Sequence, residues 1–268
     1  RLHGVIGQIG PLRRGLTLRA VAGQLERAFQ PKHLRAVVLA VNSPGGSPVQ
    51  SALIFRRVRQ LARKKDVPVL AFIEDVAASG GYWLACAGDE IYADENSIVG
   101  SIGVISASFG FVEAIKRLGV ERRVHTSGEH KAALDPFMPE DAHDVSRIKA
   151  IQADVHESFK TLVRSRRGRK LRAPEDQLFN GDFWTGRRAQ EMGLVDGLGD
   201  MRAVLQDRFG EKVRIAIMGE SVGWLRRRLG VRAAAAPRES FGPGIGAGFA
   251  TGLLAAIEER FFWSRFGL

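Results

Sequence analysis

Two apolar runs that do not alternate set the limits on this fold. The stretch Arg35 to Val41 contains Ala-Val-Val-Leu-Ala-Val, and Val67 to Ile73 repeats the pattern. A strand with one face in water alternates polar and apolar residues, whereas one that stays apolar at successive positions must be covered on both faces, as inside a parallel sheet. Between the runs the chain reads as a helix. Ser47 suits its N-cap and Pro48 its first position, Val49, Leu53, Ile54, Val58 and Leu61 recur at helical spacing, and Arg63, Lys64 and Lys65 suit its negative C-terminal end. Strand, helix and strand in this order predict a right-handed parallel crossover in an α/β fold.

The same reading extends along the chain. Leu2 to Gly7 reads as a strand already under way, which leaves room for residues upstream of Arg1. A helix over Ser79 to Ala87, a strand over Glu90 to Ala93, an apolar stretch from Ile98 to Ile105, a helix marked by Phe111, Ile115 and Leu118, and a strand over Val120 to Thr126 follow. A long helix is predicted from Pro139 to Arg167, with Gly168 as its stop. Val145, Ile148, Ile151, Val155, Phe159 and Leu162 form its apolar stripe, and Asp, His and Lys on its other face suit solvent or a subunit contact. Trp184-Thr185-Gly186 opens a further helix, Leu194 to Gly199 forms a turn, and a last helix and a strand over Val213 to Met218 close a domain spanning residues 1–218. Residues 219–268 form a basic, Gly-rich and amphipathic tail. Its apolar run from Phe249 to Phe262 is broken by charge before the ~20 residues needed to cross a bilayer, which points to docking on a partner or a membrane surface.

Charge excludes little. The 40 Lys and Arg against 29 Asp and Glu leave a formal +11, which suits nucleic acid, an anionic membrane surface or acidic partners alike; it is spread widely and selects none of them, so no specific nucleic acid is expected and peripheral membrane contact stays open. The single cysteine, Cys86, rules out an internal disulfide and reads as a small buried residue. The six histidines show no zinc-ligand spacing, so neither metal nor cofactor is expected.

Three motifs carry chemistry. Ala78-Ser79-Gly80-Gly81-Tyr82 sets a hydroxyl among small residues, Ser127-Gly128-Glu129-His130-Lys131 supplies a lysine, and Asn42-Ser43-Pro44-Gly45-Gly46 turns out of an apolar strand. Each alone fits an ordinary turn or a solvated charge. Together they provide a nucleophile, a base and bare amides for an oxyanion, the parts that acyl transfer requires. Serine is a weak nucleophile, and lysine accepts its proton only when the ammonium form is destabilised by burial or by neighbouring positive charge. Gly45 and Gly46 lie where a buried strand meets a helix, and Gly80 follows the serine, so these amides are the candidate oxyanion donors.

The stretches Val41 to Gly46, Ala77 to Tyr82, Thr126 to Lys131 and Gly193 to Asp196 resemble, in sequence and order, the bacterial signal peptide peptidase A family. These are self-compartmentalising serine peptidases of the Clp and crotonase-like fold, an α/β architecture of repeated β-β-α units. The likeness covers about Leu2 to Arg208. It implies Ser79 as nucleophile, Lys131 as general base, the Gly46 and Gly80 amides as oxyanion hole, and Ser101 as a hydrogen-bonding partner of the lysine. It also implies a homo-oligomeric chamber in which adjacent protomers share the dyad, with signal peptides and other unfolded segments as substrates. The motif set occurs once in this chain, so the chamber would need several copies. The compartment, membrane-associated or cytoplasmic, is left open. The rival readings are a crotonase-type enzyme acting on acyl thioesters, which would need a carboxylate in the pocket, and an inactive membrane-associated scaffold.

Overall fold

A mostly parallel sheet organises the chain, as the unalternating runs predict. The computed structural model describes residues 1–8, 15–218 and 260–268. Among these, seven strands form one sheet. Strand β1 (Leu2–His3) lies beside β2 (Val37–Ser43), β2 beside β3 (Val69–Ala78) and β3 beside β4 (Glu90–Ala93), all parallel. β3 outruns β4, and its end at Val76, Ala77 and Ala78 pairs with β5 (Ile98–Gly100). β5 in turn pairs antiparallel with β6 (Phe183–Thr185), and β7 (Gly197–Leu198) flanks β4. β3 is therefore covered by strands on both edges along most of its length. Val69, Leu70 and Ala71 are wholly buried.

Helices cover the sheet. α1 (Leu18–Ala28) and α2 (Pro48–Lys65) pack together between the first strands. In α2 the Ser47 hydroxyl accepts from the Gln50 amide, Pro48 takes the first turn, and Ser51, Ile54, Val58, Leu61 and Ala62 face the core. Val49, expected on that stripe, is 63% exposed because it lies in the first turn, off the buried face. α3 (Gly80–Ala85) is buried throughout. α4 (Val112–Arg117), α5 (Ala142–Arg167), the short α6 (Glu175–Leu178), α7 (Gly186–Glu191) and α8 (Met201–Phe209) complete the described set.

Two expected strands are not formed. Val120 to Thr126 is exposed and irregular, with Val120 at 54% and Val124 at 43% exposure, and Val213 to Met218 is likewise without a ladder. In both, the apolar residues that suggested a strand join no sheet edge among the described residues. The stripe of α5 also divides. Phe159, Val163 and Arg167 are buried, Val145, Ile148 and Val155 are half-buried, and Ile151 is 56% exposed, so the N-terminal half of this helix overhangs the core.

The boundary expected between residues 218 and 219 falls at the edge of the described residues, and residues 219–259 lie outside them. The apolar run from Phe249 to Phe262, expected to dock on a partner or a membrane surface, lies outside the described residues as far as position 259, and the residues that follow lie on the domain's own sheet. Trp263 and Phe266 pack with Val5, Val76, Ala78 and Ile98, and Phe266 meets Phe183 edge to face at 5.1 Å. No helix among the described residues is long and apolar enough to cross a membrane.

Candidate active site

The end of β3 is where backbone conformation becomes unusual. Ser79, the residue after the strand, has φ 51° and ψ −121°, in the left-handed half of the map that L-residues avoid. Among the described residues only Asp66, Ser79, Ser101 and Leu134 combine a side chain with positive φ, so two of the four are serines singled out from sequence. Such backbone costs on the order of 1–3 kcal/mol and persists only where the surroundings impose it.

Those surroundings are visible in the hydrogen bonds. Ala78 pairs with Gly100, so Ser79 and Ser101 leave two neighbouring parallel strands at one level. The Ser79 amide donates to the Gly100 carbonyl at 2.8 Å, and the Ser101 amide to Asp182 at 2.6 Å. The antiparallel pairing of β5 with β6 thus fixes Ser101, which is only 7% exposed. Ser79 is half-buried, its side chain makes no capping bond to α3, and among the described residues its hydroxyl has no hydrogen-bond partner.

Glycine is required around it. Gly45 has φ +108°, and a Cβ there would stand 2.8 Å from Ser79 Cβ and 3.0 Å from the Ala78 oxygen. A Cβ on Gly80 would meet Ser51 Oγ at 2.5 Å and would lie 3.5 Å from the Gly46 nitrogen. The Gly46 and Gly80 amides therefore flank one small space beside the serine. Among the described residues neither donates to a backbone carbonyl, although Ile6 uses the carbonyl of Gly45 and Ser47 uses that of Ile6. Two free donors beside an uncommitted hydroxyl can stabilise an oxyanion.

Asn42 holds this turn in place, a role the sequence reading missed. Register slips between Val41 and Ser43, and Asn42 spans the gap: its amide donates to Asp75 at 2.5 Å and its carbonyl oxygen accepts from the Val76 amide at 3.3 Å. The signal was a polar residue directly after an apolar run, still within the strand. The contributions of Asp182 and of His156, whose ring lies 3.1 Å from the Ile102 oxygen, had no such signal, because they join segments far apart in sequence.

Behind the site the motifs act as struts. Tyr82 is wholly buried and donates to the Leu194 oxygen at 2.7 Å, and burial pushes its hydroxyl well above the usual range. Cys86 is buried as expected, its thiol pushed up to about 12 by desolvation, so it stays a packing residue. Arg167, at the end of α5, donates to the Gly193 oxygen and pairs with Asp196 at 2.7 Å. Partial burial opposes the Asp196 charge, but hydrogen bonds from Arg167 and Lys170 outweigh it and hold the carboxyl below its ordinary value.

Lys131 lies elsewhere. It is exposed, in a turn where its amide donates to Gly128 at 3.2 Å, and among the described residues no hydrogen bond or ion pair joins its side chain to Ser79 or Ser101. Its surroundings form a unit of their own. The Phe111 amide donates to the Pro136 oxygen at 2.6 Å and its ring lies tilted beside that of Phe137, Arg122 pairs with Asp135 and lies over the Phe137 ring, and the Leu134 amide donates to Asp144. Within one chain the structure thus joins Ser79, Gly46, Gly80 and Ser101 and leaves Lys131 outside.

A profile described as Peptidase family S49 matches residues 61–212, which contain Ser79, Ser101 and Lys131. A Brucella abortus protein named Na(+)/H(+) antiporter NhaA is 51% identical over 281 aligned positions, covering 100% of this chain and 36% of that protein. Protease 4 of Haemophilus influenzae is 31% identical over 217 positions, 76% of this chain and 33% of its own length. The chloroplastic serine protease SPPA of Arabidopsis thaliana is 31% identical over 176 positions, 64% of this chain and 25% of its own. The chain spans between a quarter and about a third of the length of these relatives.

Proposed function

This chain belongs to peptidase family S49, and we propose that it is a serine endopeptidase that cleaves unfolded peptides, signal peptides among them, through an acyl-enzyme formed on Ser79. The observation that carries the reading is the uncommitted hydroxyl of Ser79, held at φ 51° against Gly45 and beside the free amides of Gly46 and Gly80. Ser79 Oγ attacks the scissile carbonyl, and the two amides bind the oxygen as it becomes negative. Lys131 takes the serine proton and returns it to the leaving amine. Water then attacks the ester and releases the acid.

Lys131 is the part that needs a second molecule. In one chain it is exposed, on a segment that also exposes Ile105, Phe109, Leu118, Val120 and Met138. Covering this arm with a neighbouring copy would remove apolar surface from water and desolvate the amine, which favours its neutral, basic form. On this reading several copies close a chamber, each arm delivers Lys131 to the Ser79 of its neighbour, and Ser101 hydrogen-bonds the amine there. The antiporter name belongs to a protein of nearly three times the aligned length, and the S49 match falls on residues of this chain that align with it.

The test is complementation. Ser79→Ala and Lys131→Ala proteins should each assemble and cleave no fluorogenic peptide, mixing and reassembly should restore part of the activity, and a fluorophosphonate should label Ser79 in the wild type. Silence in mixed assemblies verified by mass would overturn the shared site, and cleavage by Ser79→Ala would overturn the nucleophile. A crotonase-type enzyme would instead act on an acyl thioester and leave the peptide intact.

A further inference from the structure

The fold brings together two histidines that the sequence keeps apart. His130 precedes Lys131 in the exposed turn, and His143 lies in the first turn of α5. Their rings stack with centroids 5.0 Å apart and 27° between planes. Asp144 lies beside them, and one ligand atom from each of His130, His143 and Asp144 falls within 4.8 Å of the others.

We propose that these three side chains form a binding site for a divalent transition metal, zinc in the first instance, that staples the Lys131 turn to the start of α5. Two imidazoles and one carboxylate are a ligand set zinc accepts, with water completing the tetrahedron. Bonds of about 2.0–2.1 Å place tetrahedral donors roughly 3.3 Å apart, so the three groups need only close by side-chain rotation.

The supporting bonds are already made. Asp141 caps α5 by accepting from the amides of His143 at 2.9 Å and Asp144 at 3.1 Å, which fixes both ligands on the helix. Asp144 Oδ2 accepts from the Leu134 amide at 3.1 Å, so the carboxylate already ties the turn to the helix and is oriented as metal-ligating carboxylates commonly are. Leu134 has φ 58°, in the left-handed region, and the Ala133 amide donates to His130 at 3.4 Å, so the turn returns His130 toward the helix. An ion here would bind the residue next to Lys131 without touching the lysine. Control of the base by this ion rests on the peptidase reading above, whereas the site itself does not.

The test uses full-length Ser79→Ala protein, free of any histidine tag and stripped with a chelator, titrated with zinc chloride by calorimetry and with cobalt by visible absorption. One ion per chain should bind, and His130→Ala or His143→Ala should weaken binding tenfold or more, while His125→Ala, on the same segment but outside the cluster, should not. Tryptic cleavage after Lys131 should slow with zinc in the parent and not in His143→Ala. Failure to bind, or equal binding by parent, His130→Ala and His143→Ala, overturns the site. A protein that binds zinc yet cleaves no peptide with its serine restored keeps the site and sinks the peptidase reading. One that cleaves without binding zinc does the reverse.

Discussion

Ser79 and Lys131 sit in regions built in opposite ways. Ser79 ends β3, whose neighbours are set by contacts across long stretches of sequence: Asn42 to Asp75, Ser79 to Gly100, Ser101 to Asp182, Tyr82 to Leu194 and Arg167 to Asp196. Lys131 belongs to residues 109–144, where among the described residues every side-chain hydrogen bond, ion pair and ring contact stays inside the stretch, and the backbone bonds leave it only along α5. A nucleophile and its oxyanion donors must be held within fractions of an ångström, and buried, satisfied backbone does that. A base that must lose its charge needs removal from water, which the arm lacks in one chain and an assembly would supply. On the proposed reading the difference explains a site half complete in one chain: the part needing rigidity is made within it, and the part needing desolvation would come with a neighbour.

The largest expected effect tests both halves at once. Ser79→Ala and Lys131→Ala should each lower kcat by on the order of 10⁴-fold or more, as loss of a nucleophile or of its base does in serine peptidases, with thermal unfolding unchanged. Next comes the strut behind the rigid half. Arg167→Ala leaves Asp196 half-buried without its main partner and should cost about 3–5 kcal/mol, read as a lower urea midpoint. Arg122→Ala, which breaks the pair on the arm, should leave that midpoint where it was. If both variants shift it equally, the arm is part of the cooperative core and the contrast fails. Gly45→Ala is smaller. Its new methyl meets Ser79 Cβ at 2.8 Å in a φ +108° backbone, and displacement of the adjoining donor should lower kcat roughly 100-fold, more than it raises KM.

How far the sequence revealed these halves follows the same division. Unalternating apolar runs located β2 and β3, and Ser47 with Pro48 located α2, because burial on two faces and helix capping leave marks within a few residues. The turn at Gly45 and Gly46 was legible for the same reason, since a strand entering a helix in close quarters excludes side chains. The arm misled: Val120 to Thr126 has the composition of a strand, yet a strand needs a partner edge and none meets it among the described residues. Asp182 and His156 left no mark at all, because pairing at long range is a property of topology and not of spacing. The meeting of His130 with His143 was hidden likewise, since thirteen positions of turn and helix start separate them (143 − 130).

The smallest effect divides the regions by acid. Asp196 and Asp135 both have carboxyls held below their ordinary value. For Asp196 burial pulls the other way but loses to hydrogen bonds from Arg167 and Lys170, and for Asp135 the Phe137 amide leads, with Arg122 assisting. The sign is the same for both. A carboxyl with a depressed folded value contributes stability that is present above its unfolded value, about 3.9, and is lost as pH falls through the folded one. Asp196→Asn should therefore lower the urea midpoint at pH 7 and make it fall less steeply below about pH 4. Asp135→Asn should leave the global midpoint unchanged at both pH values and speed only proteolysis within residues 109–144, because its bonds end inside the arm. An acid limb flattened as much by Asp135→Asn as by Asp196→Asn would mean that the arm unfolds with the sheet. A single chain would then already hold Lys131 in place, and the need for a neighbour would fall with it.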